Sequence, residues 1–383
     1  MDFFKEELRK IKDLNLFREI KKISNSNGKY IYINGKKYID FSSNNYLGLK
    51  DDERVKDAAI EAIKKYGVGS GASRLVTGTN ELYNRLENEI SNFKNTEATL
   101  LFNSGYDANL GSISTIMDKN DVIFSDKLNH ASIIDGIFLS KSKLIRYKHN
   151  DINDLEDKLI KNRKNYKKAL VITDSIFSMD GDKANLQDIA KLKEKYDFLF
   201  MIDEAHGTGI FGKNGIGLAE EQNVLGKVDI TMGTLGKSFG TQGAYITGKK
   251  DIIEYLVNRC RSFIFTTAIA PSAIGAALKS LEIIKKEAKR REKILRNSDY
   301  LRKELLKLGL DTQNSSSQII PIIIGEEKKA LEISQKLFEE NLFVSAIRKP
   351  TVPSGTARLR ISINYNIDKD DIDKLISILK NIL

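Results

Sequence analysis

One lysine, Lys237, stands among three glycines directly after an apolar run, in the segment Met232-Gly-Thr-Leu-Gly-Lys-Ser-Phe-Gly240. A compact backbone of this kind lets a lysine amine reach a carbonyl carbon and form an imine, and the nearby hydroxyl of Thr234 can bind a phosphate group. The Gly-Lys-Ser triplet also resembles a nucleotide phosphate loop, but that motif requires a glycine where this chain has Thr231. Taken alone, Lys237 is as well explained as a surface lysine.

A carboxylate and a histidine follow another apolar run, in the segment Asp203-Glu-Ala-His-Gly-Thr-Gly209. A buried aspartate can pair with the ring nitrogen of pyridoxal phosphate (PLP), which keeps that nitrogen protonated and makes the ring an electron sink. His206 can donate a hydrogen bond to the phenolic oxygen of the ring or relay protons. The alternative is an aspartate that caps the next helix and a histidine that belongs to the core.

Two further turns lie where a helix follows a strand. His130, in Leu128-Asn-His-Ala-Ser132, can lie flat on a cofactor ring, although a lone histidine at a helix start is more often a cap. The turn after Phe102 predicts an anion site, because the N–H groups and the dipole of a helix N-terminus attract phosphate. The candidates for this site are Ser104, Gly105 and Tyr106.

A glycine-rich segment, Gly67-Val-Gly-Ser-Gly-Ala72, matches the dinucleotide-binding fingerprint by its letters. That fingerprint has to follow a strand and open a helix. Here a helical pattern from Val55 to Tyr66 precedes it, and the loop Ser73 to Thr79 follows. The sequence therefore disfavours a nicotinamide or flavin cofactor and predicts a loop that lines the site.

Near the C-terminus, the segment Thr356-Ala-Arg-Leu-Arg-Ile-Ser362 alternates like a strand, so Arg358 and Arg360 share one face. An arginine there would bind a substrate carboxylate through two parallel hydrogen bonds, which a lysine cannot imitate. For each arginine a salt bridge without any functional role is an equally open explanation.

Apolar runs that alternate with helical patterns predict an α/β fold with a mostly parallel sheet and helices on both faces. Residues 1–45 predict an N-terminal arm with a helix and a hairpin, residues 46–280 a large domain, and residues 281–383 a small α+β domain. A long helix from about 268 to 308 would join the last two. The predicted strands of the large sheet are residues 99–102, 121–124, 169–172, 198–202 and 229–232.

Composition excludes several classes of protein. The 383 residues suffice for two domains, and neither a membrane-spanning apolar run nor a signal peptide is present, so a cytoplasmic protein is expected. The single Cys260 excludes an internal disulfide, and with only three histidines we expect an organic cofactor and no metal. The net charge of +10 comes from lysines scattered among acids, which argues against nucleic acid as a partner.

Taken together, these motifs resemble the α-oxoamine synthase family of fold-type I PLP enzymes over residues 15 to 380. The resemblance implies an aspartate aminotransferase-like fold, pyridoxal 5'-phosphate as cofactor, and a reaction that joins an amino acid to an acyl thioester on CoA or a carrier protein. It also implies a homodimer with shared sites. The motifs that carry it are Phe41 to Leu49, Gly67 to Gly78, Phe177 to Asp182, Asp203 to Gly209, Thr234 to Gly240, and Ile347 to Arg360.

The resemblance also assigns roles to individual residues. Lys237 carries the cofactor as an imine, His130 stacks on the ring, and Asp203 and His206 complete the catalytic set. Ser178, Ser104, Gly105, Tyr106 and Thr234 hold the cofactor, while Thr266 and Thr267 reach the phosphate of the neighbouring subunit. The residues implied to contact substrate are Arg18, Asn44, His130, Arg348, Thr351 and Arg360.

Within the family, the segments Ser73 to Gly78 and Ala346 to Pro353 favour a biotin-pathway member that condenses L-alanine with a pimeloyl thioester and releases CO2. A member that uses glycine and acetyl-CoA stays open, because the chain departs from the expected pattern at Ala72, at Lys349 and after Ile363. A catalytically silent relative that acts as an interaction protein is the alternative from another class.

Overall fold

The computed structural model describes residues 2–382, which cluster into two compact units. The large unit contains residues 47–177 and 183–291. The small unit contains residues 2–46, 178–182 and 292–382 of the described chain, so the N-terminal residues cluster with the C-terminal ones. The three-part domain division, with its boundaries after residues 45 and 280, stays a prediction about independently folding parts, and its end residues 1 and 383 lie outside the described chain.

The strands are short, and most are apolar and buried. The interior strands β7 and β8 of the large sheet are buried on both faces, as expected for parallel strands covered by helices on each side. In chain order the strands are β1 (Ile23–Asn27), β2 (Tyr30–Ile33), β3 (Lys36–Asp40), β4 (Ala98–Phe102), β5 (Val122–Asp126), β6 (Lys143–Tyr147), β7 (Ala169–Asp174), β8 (Leu199–Asp203), β9 (Ile230–Thr234), β10 (Ala244–Gly248), β11 (Ile319–Gly325), β12 (Leu342–Phe343), β13 (Ser345–Ile347) and β14 (Ala357–Ser362).

The helices that follow these strands begin at polar caps, such as Ser104 before α4 and His130 before α5, which satisfy otherwise unpaired N–H groups. Short 3-10 turns cover Leu49–Asp51, Arg163–Asn165 and Leu225–Lys227. In chain order the helices are α1 (Asp2–Asp13), α2 (Glu53–Tyr66), α3 (Glu81–Lys94), α4 (Gly105–Ile116), α5 (Ala131–Ser140), α6 (Ile152–Asn162), α7 (Leu186–Lys195), α8 (Leu218–Glu221), α9 (Lys250–Arg259), α10 (Arg261–Ile264), α11 (Pro271–Lys286), α12 (Ala288–Lys307), α13 (Glu327–Glu339) and α14 (Lys369–Ile382).

The large unit is built on a seven-stranded sheet of order β4-β10-β9-β8-β7-β5-β6. The strands from β9 to β6 run parallel, and β10 is antiparallel to both of its neighbours. The predicted mostly parallel sheet is therefore confirmed, and each of its five predicted strands is present. Strands β6 and β10 were not predicted from the sequence.

The small unit carries a four-stranded sheet, β1-β2-β3-β12, and a three-stranded antiparallel sheet, β11-β14-β13. The hairpin predicted within residues 1–45 turns at Asn34-Gly35 between β2 and β3, and both turn residues have positive φ, as the tightest hairpin turns require. Strand β14 carries Arg358 and Arg360 in the interior of its sheet, because β11 pairs with one edge of it and β13 with the other.

The predicted helical stretch from about 268 to 308 is present as two helices, α11 and α12, which are interrupted at Glu287. Glu287 leaves helical geometry with φ −111° and ψ 61°. Its carboxylate accepts hydrogen bonds from Arg54 at 2.6 Å and from Arg290 at 2.7 Å, and these contacts explain the break. The helical periodicity of the sequence continues through Glu287. The break is therefore explained only by the contact with Arg54 of α2, which the sequence pattern does not show.

Within residues 2–382, none of the helices has the length and apolarity needed to cross a membrane. The same described residues contain no cluster of three or more His, Cys, Asp or Glu side chains that could bind a metal ion.

Candidate active site

Asp203 forms the carboxyl end of β8, where its side chain is almost fully buried. Its Oδ1 accepts a hydrogen bond from the Ala205 N–H at 2.8 Å, and its Oδ2 accepts one from Asn109 Nδ2 at 2.9 Å. Both partners are N–H donors, which matches the two acceptor oxygens of a carboxylate. A fixed negative charge at this edge of the sheet is what a protonated ring nitrogen requires.

Lys237 lies in the turn that follows β9, and this turn is closed by a hydrogen bond from the Gly240 N–H to the Lys237 carbonyl at 2.9 Å. Gly240 has φ +68°, and a Cβ atom there would lie 2.3 Å from the backbone nitrogen of Lys50, so only glycine fits. The half-buried Lys237 Nζ lies 2.8 Å from His206 Nε2. The two residues that the sequence analysis placed after different strands therefore meet.

The N-terminus of α4 lies beside the end of β9. Ser104 caps this helix, since its Oγ accepts from the Asp107 N–H at 3.1 Å and donates to Asp107 Oδ2 at 2.7 Å. A Cβ built on Gly105 would lie 4.0 Å from the Thr234 Cβ and 3.7 Å from Met232. Two of the predicted phosphate-binding motifs thus converge on one helix N-terminus, where backbone N–H groups attract an anion.

Three further predicted residues lie near this helix start. Asn103 Nδ2 donates to Thr266 Oγ1 at 2.8 Å and to the Thr267 carbonyl at 2.9 Å, which anchors the segment after α10 beside the end of β4. Tyr106 is exposed, and its hydroxyl donates to Asp135. Thr266, Thr267 and Tyr106 therefore lie in the large unit, which also contains Ser104 and Gly105.

His130 caps α5 and is held through both its backbone and its ring. Its N–H donates to Asp174 Oδ2 at 2.8 Å, and its Nδ1 lies 2.8 Å from Ser132 Oγ and 3.3 Å from the Ser132 N–H. Although the residue keeps an exposed face, the atoms packed around the ring lower the pKa of His130 by desolvation, and the positive charge of Lys237 adds to this effect. The neutral imidazole is therefore favoured.

A second carboxylate, Asp174, ends β7 and lies directly across from Asp203 in the parallel register. Burial, reinforced by the negative charge of Asp203, raises the pKa of Asp174 well above its usual range. The protonated form of Asp174 is therefore favoured. Asp174 was not predicted as a site residue, although it too is a polar residue at the end of a buried strand, which is the pattern that indicated Asp203.

In the small unit the two predicted arginines of β14 are both buried but have different partners. Arg358 Nη1 donates to Asp180 Oδ1 at 2.6 Å in an ion pair. Arg360 donates to neutral oxygens, namely the Ser178 carbonyl at 2.6 Å, Ser362 Oγ at 2.8 Å and Asn44 Oδ1 at 3.2 Å. Arg360 therefore keeps a positive charge among neutral acceptors, and the predicted residues Asn44 and Ser178 are its neighbours.

The small unit also has a groove of about 660 Å³ whose lining includes Phe17, Arg18, Phe338 and Arg348. Arg18 Nη2 donates to the Lys349 carbonyl at 3.1 Å, and Arg348 donates to the carbonyls of the segment just before Arg18. Burial, with a further contribution from the charge of Arg18, lowers the pKa of Arg348. The two cations lie close enough to repel each other in a partly aromatic groove.

Thr351, the last predicted substrate residue, is exposed in the loop after β13, and its N–H donates to the Arg348 carbonyl at 3.0 Å. The structure therefore brings Arg348 and Thr351 together in the small unit, as it brings Lys237, His206 and the phosphate-binding candidates together in the large unit.

The family model for aminotransferase class I and II matches residues 36–379. The chain belongs to the aminotransferase class I and II family. Among curated members, a protein of Thermoanaerobacter pseudethanolicus named 8-amino-7-oxononanoate synthase is 44% identical over 97% of this chain and 94% of its own length.

Solved structures agree with this membership of the aminotransferase class I and II family. The serine palmitoyltransferase of S. paucimobilis with a bound PLP–myriocin aldimine matches with a TM-score of 0.94 and 30% identity, over 100% of this chain and 96% of that one. An 8-amino-7-oxononanoate synthase from Francisella tularensis matches with a TM-score of 0.79 and 33% identity, over 90% of this chain and 97% of that one. The predicted fold-type I PLP transferase fold is confirmed.

Proposed function

We propose that this chain is a PLP-dependent acyltransferase that condenses L-alanine with a pimeloyl thioester, releasing 8-amino-7-oxononanoate, CO2 and free CoA or carrier protein. The observation that carries the proposal is the 2.8 Å contact between Lys237 Nζ and His206 Nε2 beside the buried Asp203, in a chain 44% identical to a protein named for this product.

The side chains fit pyridoxal phosphate as a cofactor. Asp203 offers a carboxylate held by two N–H donors for the ring nitrogen, and the N-terminus of α4 beside Thr234 offers N–H groups for the phosphate. When bound, PLP supplies an aldehyde carbon that amines attack and a protonated ring that withdraws electrons from the substrate. Lys237 is the amine that would hold the cofactor covalently, and Ser178 and His206 would complete its binding.

Lys237 Nζ has two tasks in this proposal. Its amine would hold the cofactor covalently, and the same amine, when free, would be placed to remove the α-proton of the amino acid. His206, 2.8 Å away, orients this amine by a hydrogen bond. His130, whose neutral form is favoured by burial, is suited to lie against the cofactor ring and to contact substrate through Nε2.

Arg360 would bind the carboxylate of the amino acid. Its guanidinium donates to neutral oxygens in the structure and carries a charge that it cannot lose, so a substrate carboxylate is a fitting counter-ion. Asn44 lies on the same guanidinium and would share this role. Arg18, Arg348 and Thr351 would contact the acyl thioester, since two cations in a partly aromatic groove suit an anionic substrate with an apolar chain.

The choice of substrates is tested by product analysis. Purified protein loaded with PLP is incubated with L-alanine and pimeloyl-CoA, or with glycine and acetyl-CoA, and the products are identified by mass spectrometry. We expect 8-amino-7-oxononanoate from the first pair at a rate far above any product from the second. Exclusive formation of 2-amino-3-oxobutyrate from the second pair would replace the proposal by glycine C-acetyltransferase.

We also propose that the enzyme is a homodimer in which Thr266 and Thr267 of one subunit reach the phosphate of the other site. Large apolar side chains near these residues and in the glycine-rich loop are exposed in the single chain, and they include Val68, Val76 and Phe265. Sedimentation should give twice the chain mass of 43.2 kDa. A monomer with full activity would contradict this arrangement.

A further inference from the structure

A buried asparagine that carries no motif, Asn109, lies between the two residues proposed to contact the cofactor ring. It is in α4 and fully buried. Its Nδ2 donates to Asp203 Oδ2 at 2.9 Å and to Ser132 Oγ at 3.0 Å. Ser132 in turn contacts the ring of His130. A continuous chain of hydrogen bonds therefore joins the Asp203 carboxylate to the imidazole of His130.

The orientation of the Asn109 amide is fixed by its neighbours. An amide nitrogen carries two hydrogens, which matches the two acceptors that Nδ2 contacts. The opposite orientation would place the amide oxygen against the Asp203 carboxylate, where two acceptors repel. The buried Oδ1 has no hydrogen-bond partner in the described chain, so no contact of Oδ1 favours the opposite orientation of the amide.

The donor and acceptor roles in this series of hydrogen bonds determine which nitrogen of His130 accepts. Because Ser132 Oγ accepts from Asn109, its own hydrogen is available for His130 Nδ1 at 2.8 Å. The Ser132 backbone N–H, which can only donate, also points at Nδ1 at 3.3 Å. Nδ1 therefore accepts, and the proton of the neutral ring lies on Nε2.

Helix packing keeps these groups together. Helices α4 and α5 approach closely at Gly136, where a Cβ atom would lie 3.0 Å from the Asn109 carbonyl. The backbone of His130 is fixed separately by the hydrogen bond from its N–H to Asp174. Burial lowers the pKa of the His130 ring below its usual value, and the charge of Lys237 lowers it further, whereas Asp203 and Asp135 oppose this shift.

We propose that Asn109 and Ser132 are positioning residues that hold His130 in the Nε2–H tautomer and couple its orientation to the carboxylate of Asp203. The proposal rests on the proposed function in so far as His130 faces the cofactor and the substrate. In this tautomer His130 donates a hydrogen bond to a carboxylate or carbonyl oxygen of the substrate, and it does not act as a base through Nε2. Helix α4 would then have two functions, because its N-terminus would bind the phosphate and its residue Asn109 would position His130.

The tautomer is measured directly by ¹⁵N NMR of the holoenzyme labelled in its histidines. The chain has three histidines, so a His149→Gln variant and a His130→Gln variant assign the spectrum. In the wild type we expect the pattern of a ring protonated at Nε2 and unprotonated at Nδ1. In Ser132→Ala and Asn109→Leu we expect the two ring nitrogens of His130 to shift towards each other as both tautomers become populated.

A matched control is available in the same helix. Ser112 is fully buried in α4, and its hydroxyl bonds only weakly, at 3.5 Å, to the Asn109 carbonyl. Ser112→Ala removes the same group as Ser132→Ala and should leave the His130 shifts as in the wild type. We expect kcat/KM to fall about five- to tenfold in Ser132→Ala, the value of one hydrogen bond, and to change less than twofold in Ser112→Ala.

The proposal is overturned if the wild-type His130 carries its proton on Nδ1, or if Ser132→Ala leaves the ring shifts unchanged. If Asn109→Leu does not fold, Ser132→Ala decides alone. The NMR result does not depend on the identity of the substrates, so failure of the wild type to make 8-amino-7-oxononanoate would overturn the proposed function and leave the tautomer assignment intact.

Discussion

The large unit places two carboxyl groups side by side at the ends of β7 and β8, and the small unit places two arginines on one face of β14. In each pair the charge of one member is offset by its surroundings, and the other member is held by neutral hydrogen-bond partners. Burial next to Asp203 raises the pKa of Asp174 and favours its uncharged, protonated form. Arg358 is neutralised by Asp180, because an arginine does not release its proton in a protein.

The difference between the two regions shows how the protein keeps one buried charge available in each. Asp203 accepts hydrogen bonds from two neutral donors, the Asn109 amide and the Ala205 N–H. Arg360 stays charged among neutral acceptors. The charged members, Asp203 and Arg360, are the ones to which we assign cofactor and substrate. The two members of each pair are buried to a similar extent, so burial does not distinguish the structural residue from the functional one. Their hydrogen-bond and ion-pair partners do distinguish them.

The largest expected effect separates the two carboxyl groups. Asp203→Asn removes the negative charge. It also places an amide NH2 group, which can only donate, opposite one of the two N–H donors that now bond to the carboxylate. We expect kcat to fall about a thousandfold, a barrier increase of about 4 kcal/mol. The matched change Asp174→Asn replaces a protonated carboxyl by an amide of the same shape, so we expect a loss below about tenfold. Steady-state kinetics with L-alanine measure both, and equal losses would break the comparison.

The next effect separates the two arginines. Arg360→Lys loses the paired geometry that binds a carboxylate, and we expect the KM for L-alanine to rise about ten- to hundredfold. Arg358→Lys keeps a cation near Asp180, and we expect the same KM within about twofold and a slightly lower thermal midpoint. If Arg358→Lys raises this KM as much as Arg360→Lys does, the assignment of the carboxylate site to Arg360 is wrong.

The smallest effect concerns Lys94, a buried cation whose Nζ donates to Thr208 Oγ1 at 2.8 Å and to the Ile216 carbonyl. Burial lowers the pKa of Lys94 from 10.5 to about 8. Between these values the unfolded chain binds more protons than the folded one, so this lysine makes stability rise with pH in that window, and its cost is fully present below pH 8.

The variant Lys94→Met isolates this contribution. We expect the thermal midpoint of the wild type, relative to that of the variant, to rise between pH 8 and pH 10.5, with an upper bound of about 3 kcal/mol for the underlying free energy. Activity at pH 8 should change little, because Lys94 contacts none of the residues assigned to cofactor or substrate. Parallel midpoints across this range would show that Lys94 stays protonated in the fold.

Much of the fold could be predicted because it depends on local patterns. The buried strands that precede Asp203 and Lys237 are continuous apolar runs, and the turns after them carry glycines that the backbone requires. Strands β6 and β10 were missed because they carry charged or mixed side chains, such as Lys143 and Thr247. The break at Glu287 was missed because its cause, Arg54, lies in a different helix.

The candidate site was predictable to a similar extent. Residues that follow strands could be listed, but the sequence could not say which of Arg358 and Arg360 is paired, since Asp180 is far away along the chain. Asn109 gave no signal, because one asparagine inside a helical pattern looks like any polar position. Its role depends on the packing of α4 against α5 and β8, which no local pattern encodes.

The central claim is that the amine of Lys237 holds the cofactor. Treatment of the purified, PLP-loaded protein with borohydride, followed by peptide mapping, should find a pyridoxyl group on Lys237 alone, and Lys237→Ala should lose both this label and the turnover. A label on another lysine, or full turnover in Lys237→Ala, would contradict the account.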